Sequence, residues 1–333
     1  MKKFLLKTSL IIVIPFIIAL CLDIIISNIL KETKLFPVEN EVWNDIYDSK
    51  AEAELIILGS SRAWVHFETE IIDKNLNIKS YNLGEDGSNI LQQYIRYKEL
   101  ISFNPLPKKV ILAVDIYSFR DEKFPTYRFY PYVLGNFRIL NHLSSLNIDG
   151  IDGIDEIIFY VPLIRYFNRT FIQRLFDNEK KALFRNKNYN KAFIFSNQYI
   201  NLNKEGNLRI KGYRGLDVIW KNQDVKKFTF PIDSSKVSLM KKFITEMKNE
   251  NIEIIMIYPP EYKEGQSLCQ NRNKIISEFE KISNQFDLRL YNYSDSLISE
   301  RKEFFYNNQH LNKRGAEIFT KDVTDLIKQN SKP

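Results

Sequence analysis

Three short polar segments hold the residues able to do chemistry. They are Gly59-Ser60-Ser61-Arg62, Asn82-Leu83-Gly84-Glu85-Asp86-Gly87-Ser88, and Tyr306-Asn307-Asn308-Gln309-His310-Leu311-Asn312. A serine hydroxyl is a weak nucleophile and needs a base within hydrogen-bond reach. Histidine suits that task near neutral pH, and the chain has three: His66, His142 and His310. Of these, His310 lies in a turn-rich loop just ahead of a helical pattern, whereas His66 and His142 read as surface or core residues. The two glycines of the second segment permit positive φ and let backbone N–H groups face a ligand. Such donors stabilise a developing oxyanion. Each segment also has a plainer reading. The serines cap a helix, the glycines make an ordinary turn, and a lone histidine is structural.

All three segments sit at the ends of elements that can position them. Glu54–Gly59 is a short isoleucine-rich run stopped by glycine, and reads as a buried strand. Lys79–Leu83, Lys108–Val114, Ile252–Tyr258 and Leu288–Tyr291 read as further strands. Helical spacing covers Ser88–Ile101, Val237–Asn249, Asn271–Phe286 and Lys313–Lys328. Alternating strands and helices imply a mostly parallel sheet covered on both faces, with ligands bound at the carboxyl ends of the strands. Residues 120–235 interrupt the pattern and read as an insertion beside the site. Its cluster Tyr127, Arg128, Phe129, Tyr130 and Tyr132 offers rings to stack on sugars, or simply packs within the insertion.

The N-terminus places the domain. Lys2, Lys3 and Lys7 precede an apolar stretch from Leu10 to Leu30. At about 1.5 Å per residue it spans roughly 30 Å, the thickness of a hydrocarbon core. Pro15 and Asp23 are blemishes, Asp23 being off-centre and able to reach the interface. No small-residue cleavage site follows, and Leu20 ahead of Cys21 does not suit a lipoprotein signal. We therefore expect an uncleaved single-pass anchor over residues 1–30, a linker over 31–50 and a main domain over 51–333. The lysine bias puts the N-terminus in the cytoplasm and the main domain on the exoplasmic side, periplasmic or extracellular.

Composition excludes several classes. Of the residues, 44% are hydrophobic and 27% charged, ordinary for a globular chain. The net charge of +7 is spread out, which suits anionic lipids or acidic glycans and gives no nucleic-acid footprint. Cys21 and Cys269 are too few for a metal cluster and implausible as a disulfide. Neither G-x-G-x-x-G nor a Walker loop follows a strand, and the G-x-S-x-G elbow is absent.

Taken together, the three segments resemble the SGNH branch of the GDSL hydrolases over roughly residues 52–118 and 235–329. That superfamily has G-D-S after its first strand, then N-x-G-x-x-G, then D-x-x-H before a C-terminal helix. The resemblance implies a three-layer α/β/α, flavodoxin-like sandwich with Ser61 as nucleophile and His310 as base. Asn82, Gly84 and Gly87 fill the second block, with Gly87 as oxyanion donor. No cofactor or metal is implied. The anchored form, with GSSR and HLN, is similar to membrane proteins that modify cell-surface polysaccharides. It implies ester hydrolysis or acyl transfer on a surface glycan, commonly beside a membrane-bound O-acyltransferase. The alternative is a non-catalytic glycan-binding or scaffold component of such a complex.

Two departures from the pattern carry consequences. Asn307 stands where the superfamily has aspartate, so it can orient His310 but brings no charge to an imidazolium. Asp115 stands near the place of an asparagine donor after the third strand. An ionised Asp115 opposes an oxyanion, so it must turn away or serve another partner, Arg62 being one option, with Ser118 donating in its stead.

Overall fold

The computed structural model describes residues 2–32, 39–124, 129–146, 156–167, 209–216, 220 and 226–330. In chain order the elements used below are α1 (Lys2–Glu32), α2 (Glu39–Tyr47), β1 (Leu55–Gly59), α3 (Ser61–His66), α4 (Thr69–Leu76), β2 (Ser80–Asn82), α5 (Ile90–Phe103) and β3 (Lys109–Ala113). They continue with α6 (Tyr130–Val133), α7 (Phe137–Ser145), α8 (Ser234–Asn249), β4 (Glu253–Tyr258), α9 (Arg272–Gln285), β5 (Leu290–Asn292) and α10 (Lys313–Asn330). The chain divides into two units. One comprises Met1–Glu41 with Lys123–Asn201, the other Val42–Glu122 with Leu202–Pro333.

The second unit is an α/β sandwich. Its five strands run in the order β2-β1-β3-β4-β5, every pairing parallel. This is the flavodoxin-like order, whose switch point lies between β1 and β3. Strand residues alternate between faces. Leu55, Ile57, Ile111, Ala113, Ile255 and Ile257 pack with Phe319, Val323 and Ile327 of α10 in one core. The opposite face is covered by α5 and α8, which touch each other and strands β1 and β4. Strand ends fall within about two residues of the sequence expectation, because buried parallel strands are unbroken apolar runs.

The stretch read as a linker over 31–50 contains α2, whose Val42, Trp43 and Ile46 are buried. The Trp43 ring lies 4.8 Å from the Arg96 guanidinium. Three apolar side chains in a nine-residue polar segment suffice to dock it, too few to stand out from a linker by composition.

In the first unit, α1 is long and apolar enough to cross a membrane over Ile11–Glu32. The expected insertion 120–235 is divided by the structure, its part from Leu202 onward going with the sandwich. Tyr127 and Arg128 lie outside the described residues. Phe129, Tyr130 and Tyr132 are buried, with Phe129 and Tyr132 stacked at 5.4 Å, so these three rings are core and unavailable to sugars.

Candidate active site

The nucleophile turn forms where β1 ends and α3 begins. Ser60 is the N-cap: its hydroxyl accepts from the Arg62 N–H at 3.2 Å and donates to Asp115. The capping role thus belongs to Ser60 and leaves Ser61, half-exposed at the first helical position, for chemistry. Ser61 Oγ lies 2.8 Å from His310 Nε2.

The His310 loop is built around one oxygen. Asn307 Oδ1 accepts from the Gln309 N–H at 2.9 Å, the His310 N–H at 2.9 Å and His310 Nδ1 at 3.0 Å. Two backbone donors fix which end of the amide faces the ring, so Nδ1 carries the proton and Nε2 is left to accept from Ser61. Tyr306 stacks on the imidazole at 5.4 Å, and Tyr117 Oη donates to Gln309 Oε1 at 2.7 Å. Burial, and after it the charge of Arg62, pushes His310 down to about 3. The ring is therefore a neutral base across the physiological range.

The second loop is pinned to the first. Asn82, fully buried, donates to the carbonyls of Ala63 (2.9 Å) and Phe67 (3.1 Å) and accepts from the Gly84 N–H at 3.0 Å. Gly84 has to be glycine for space, since a Cβ there would meet Trp64 N at 2.6 Å and Ser60 O at 2.9 Å. Gly87 has to be glycine for conformation, with φ +62°. Carbonyls of this loop are held by arginines: Arg96 and Arg209 on Gly84, Arg120 on Gly87. Trp64 Nε1 donates to Asp86 at 2.6 Å, closing the loop onto α3. The N–H groups of Ser61 and Gly87 have no acceptor among the described residues. They are the donors expected for an oxyanion.

Three side chains whose roles the sequence left open or assigned otherwise are placed by the structure. The hydrogen bonds of Arg62 go to the Pro259 carbonyl and to Glu261 (3.4 Å), not to Asp115, with the Tyr258 ring 4.8 Å from its guanidinium. Asp115 turns into the interior, taking the Ser60 hydroxyl and the Tyr117 N–H at 2.8 Å; burial raises its pKa, with the Arg62 charge opposing. Ser118 is buried, and its Oγ accepts from the Asp115 N–H at 3.0 Å. It shapes that turn and does not replace the missing asparagine.

His66 was missed by sequence reasoning. It is fully buried, 6.1 Å from the His310 ring, and its Nε2 accepts from the Leu311 N–H at 3.0 Å. Burial first, then Arg62 and His310, holds it neutral. It thereby fixes the backbone next to the base. Glu261 was missed too: it lies between Arg62 and Arg272 and accepts from Tyr258 Oη at 3.0 Å. No spacing signals the contacts of His66 with Leu311 or of Glu261 with Arg62, because those partners are far apart in sequence. Among the described residues no group of three His, Cys, Asp or Glu could hold a metal.

No protein-family model and no curated protein matches the chain. Solved structures of similar arrangement include a protein assigned to the G-D-S-L lipolytic family from Desulfitobacterium hafniense, at 9% identity, 82% of this chain, 98% of that one and a TM-score of 0.39. A GDSL-like lipase from Bacteroides thetaiotaomicron matches at 9% identity over 86% of this chain and 98% of its own, with a TM-score of 0.38. A protein assigned as an acylhydrolase from Bacteroides fragilis matches at 9% identity, covering 82% and 86%, with a TM-score of 0.36. What the site can do is read from its own side chains.

Proposed function

We propose that the chain is a membrane-anchored serine esterase or O-acyltransferase acting on ester-linked acyl groups, acetyl above all, of a cell-surface polysaccharide. The observation that supports it is the line Ser61 Oγ, His310 Nε2, His310 Nδ1, Asn307 Oδ1, with both links at hydrogen-bond distance and the tautomer correct. Ser61 attacks the acyl carbonyl while Nε2 takes its proton. The oxyanion is held by the Ser61 and Gly87 N–H groups. Collapse expels the sugar alcohol, which receives the proton from Nε2, leaving acyl-Ser61. Water or a second hydroxyl then attacks, giving hydrolysis or transfer. The glycan, the exoplasmic placement and a membrane-bound O-acyltransferase as partner rest on the family resemblance and the lysine bias alone.

A second reading, a non-catalytic glycan-binding or scaffold component, is favoured by one feature. Asn307 offers no charge to an imidazolium, and His310 is held at about 3. Fluorophosphonate labelling of the full-length protein in detergent separates the two. The enzyme reading expects labelling that Ser61→Ala and His310→Ala abolish. A folded wild type that takes no label, or labelling that survives in Ser61→Ala, overturns it.

A further inference from the structure

The first unit exposes apolar side chains in a second place besides α1. Residues Ile157–Phe159 and Ile164–Phe167 form two short 3-10 turns. Between and beside them, Tyr160 is 55% and Phe167 74% exposed, with Ile157, Val161 and Ile164 exposed as well. Phe137, exposed at the start of α7, packs against Tyr160 at 5.2 Å, and the Gly135 N–H donates to the Phe159 carbonyl at 3.1 Å. The two turns touch each other, so the exposed rings and aliphatic chains lie on adjoining turns. Six large apolar groups together in water form a patch of the kind that marks an interaction site.

Its place beside α1 is fixed by a polar knot. Asp23, fully buried, takes both terminal nitrogens of Arg165, a fork geometry of high specificity. It also accepts from the Leu163 N–H at 2.6 Å, while Ser27 Oγ meets Tyr166 Oη at 2.7 Å. Residues 163–166 therefore lie alongside 23–27. Over this stretch α1 buries Asp23, Ser27 and Leu30 on one face yet leaves Ile24, Ile25 and Ile29 exposed on another. A helix that entered water at Asp23 would have no reason to keep those isoleucines bare.

We propose that residues 157–167 with Phe137 form an interfacial foot, immersed in the lipid leaflet at the C-terminal end of α1. From Asp23 to Ile29 the helix rises about 9 Å. That matches the roughly 5–10 Å depth at which interfacial elements bury their apolar faces. Tyr160 and Phe167 suit the headgroup boundary, where aromatic side chains collect. The knot explains how the immersion is tolerated. A lone aspartate at that depth is costly, whereas Asp23 is paired and hydrogen-bonded inside protein. Lipid is favoured over a protein partner because the patch is tied through Asp23 and Ser27 to a helix already long and apolar enough to span a bilayer. The inference stands apart from the role of Ser61.

The test uses the full-length protein carrying Cys21→Ser and Cys269→Ala, reconstituted in phosphatidylcholine–phosphatidylglycerol vesicles. A nitroxide is attached at Tyr160→Cys or Phe167→Cys. Ile14→Cys serves as the lipid reference and Leu297→Cys, 85% exposed in the sandwich, as the water reference. Power saturation compares accessibility to oxygen with accessibility to a water-soluble nickel chelate. The expected result is an oxygen-to-nickel ratio at 160 and 167 several-fold above that at 297 and close to that at 14. Nickel accessibility equal to position 297 overturns the proposal. Protection from both reagents also overturns it, since another protein surface would then cover the patch.

Discussion

Replacing Asn307 by aspartate isolates the electrostatic contribution the site lacks. The two side chains have the same shape, and the Gln309 and His310 N–H groups that now bond Oδ1 at 2.9 Å would bond a carboxylate equally well. The new charge sits 3.0 Å from Nδ1. An opposite charge at such range raises a histidine pKa by about 1–3 units, or about 1.4–4 kcal/mol of imidazolium stabilisation. His310 would rise from about 3 to roughly 4–6. Only part of that stabilisation is felt at the transition state, so kcat/KM should rise about tenfold. The base works when neutral, so activity is present above the His310 pKa and is lost as pH falls through it. With 4-nitrophenyl acetate between pH 4 and 9, wild type should hold its rate down to about pH 4, while Asn307→Asp should be faster at pH 8 and lose rate towards pH 5. An acid limb that does not move, or a variant slower at pH 8, refutes the electrostatic account.

His66→Leu leaves the buried Leu311 N–H without its acceptor, at a cost of about 1–3 kcal/mol. Thermal unfolding should show a lower Tm, and turnover should fall because the affected backbone adjoins His310. Glu261→Gln removes the counter-charge of two buried guanidinium groups, so urea unfolding should show a loss of about 3–5 kcal/mol. The two loop glycines should differ. Gly87→Ala pays only for its left-handed backbone, about 1–2 kcal/mol, with the nearest side-chain atom 3.6 Å away. Gly84→Ala forces apart the loop and the nucleophile turn, and should abolish fluorophosphonate labelling of a protein that still shows a native circular dichroism spectrum.

The strands and loops were legible because the physics behind them is local. A strand buried on both faces must be an apolar run, whereas Gly84, read as permitting positive φ, is glycine for want of space against Trp64 and Ser60, a contact between separate segments. Ser61, His310, Asn307 and Gly87 were singled out by the resemblance of three segments to the SGNH pattern, and the structure puts the first three within hydrogen-bond distance in one line. What stayed hidden depends on contacts between distant segments. Asp23 looked like a defect in a membrane helix, since its partner Arg165 is 142 residues away. His66 looked bland because its partner is a backbone N–H 245 residues on. Asp115 looked hostile to an oxyanion because only the fold shows it facing Ser60 and Tyr117.

The placement of Asp115 bears on the choice between enzyme and scaffold. Turned inward, it hydrogen-bonds Ser60 and Tyr117 and not Ser61, while burial and the charge of Arg62 disfavour an imidazolium at His310. That disfavoured imidazolium is the feature that supports the scaffold reading, and the enzyme reading has to stand on the other contacts of Ser61. The backbone N–H groups of Ser61 and Gly87 are without acceptors among the described residues, which leaves them available to an oxyanion. Ser61 Oγ is hydrogen-bonded to a neutral imidazole whose other nitrogen is held by Asn307, and that line of contacts weighs for acyl transfer at Ser61.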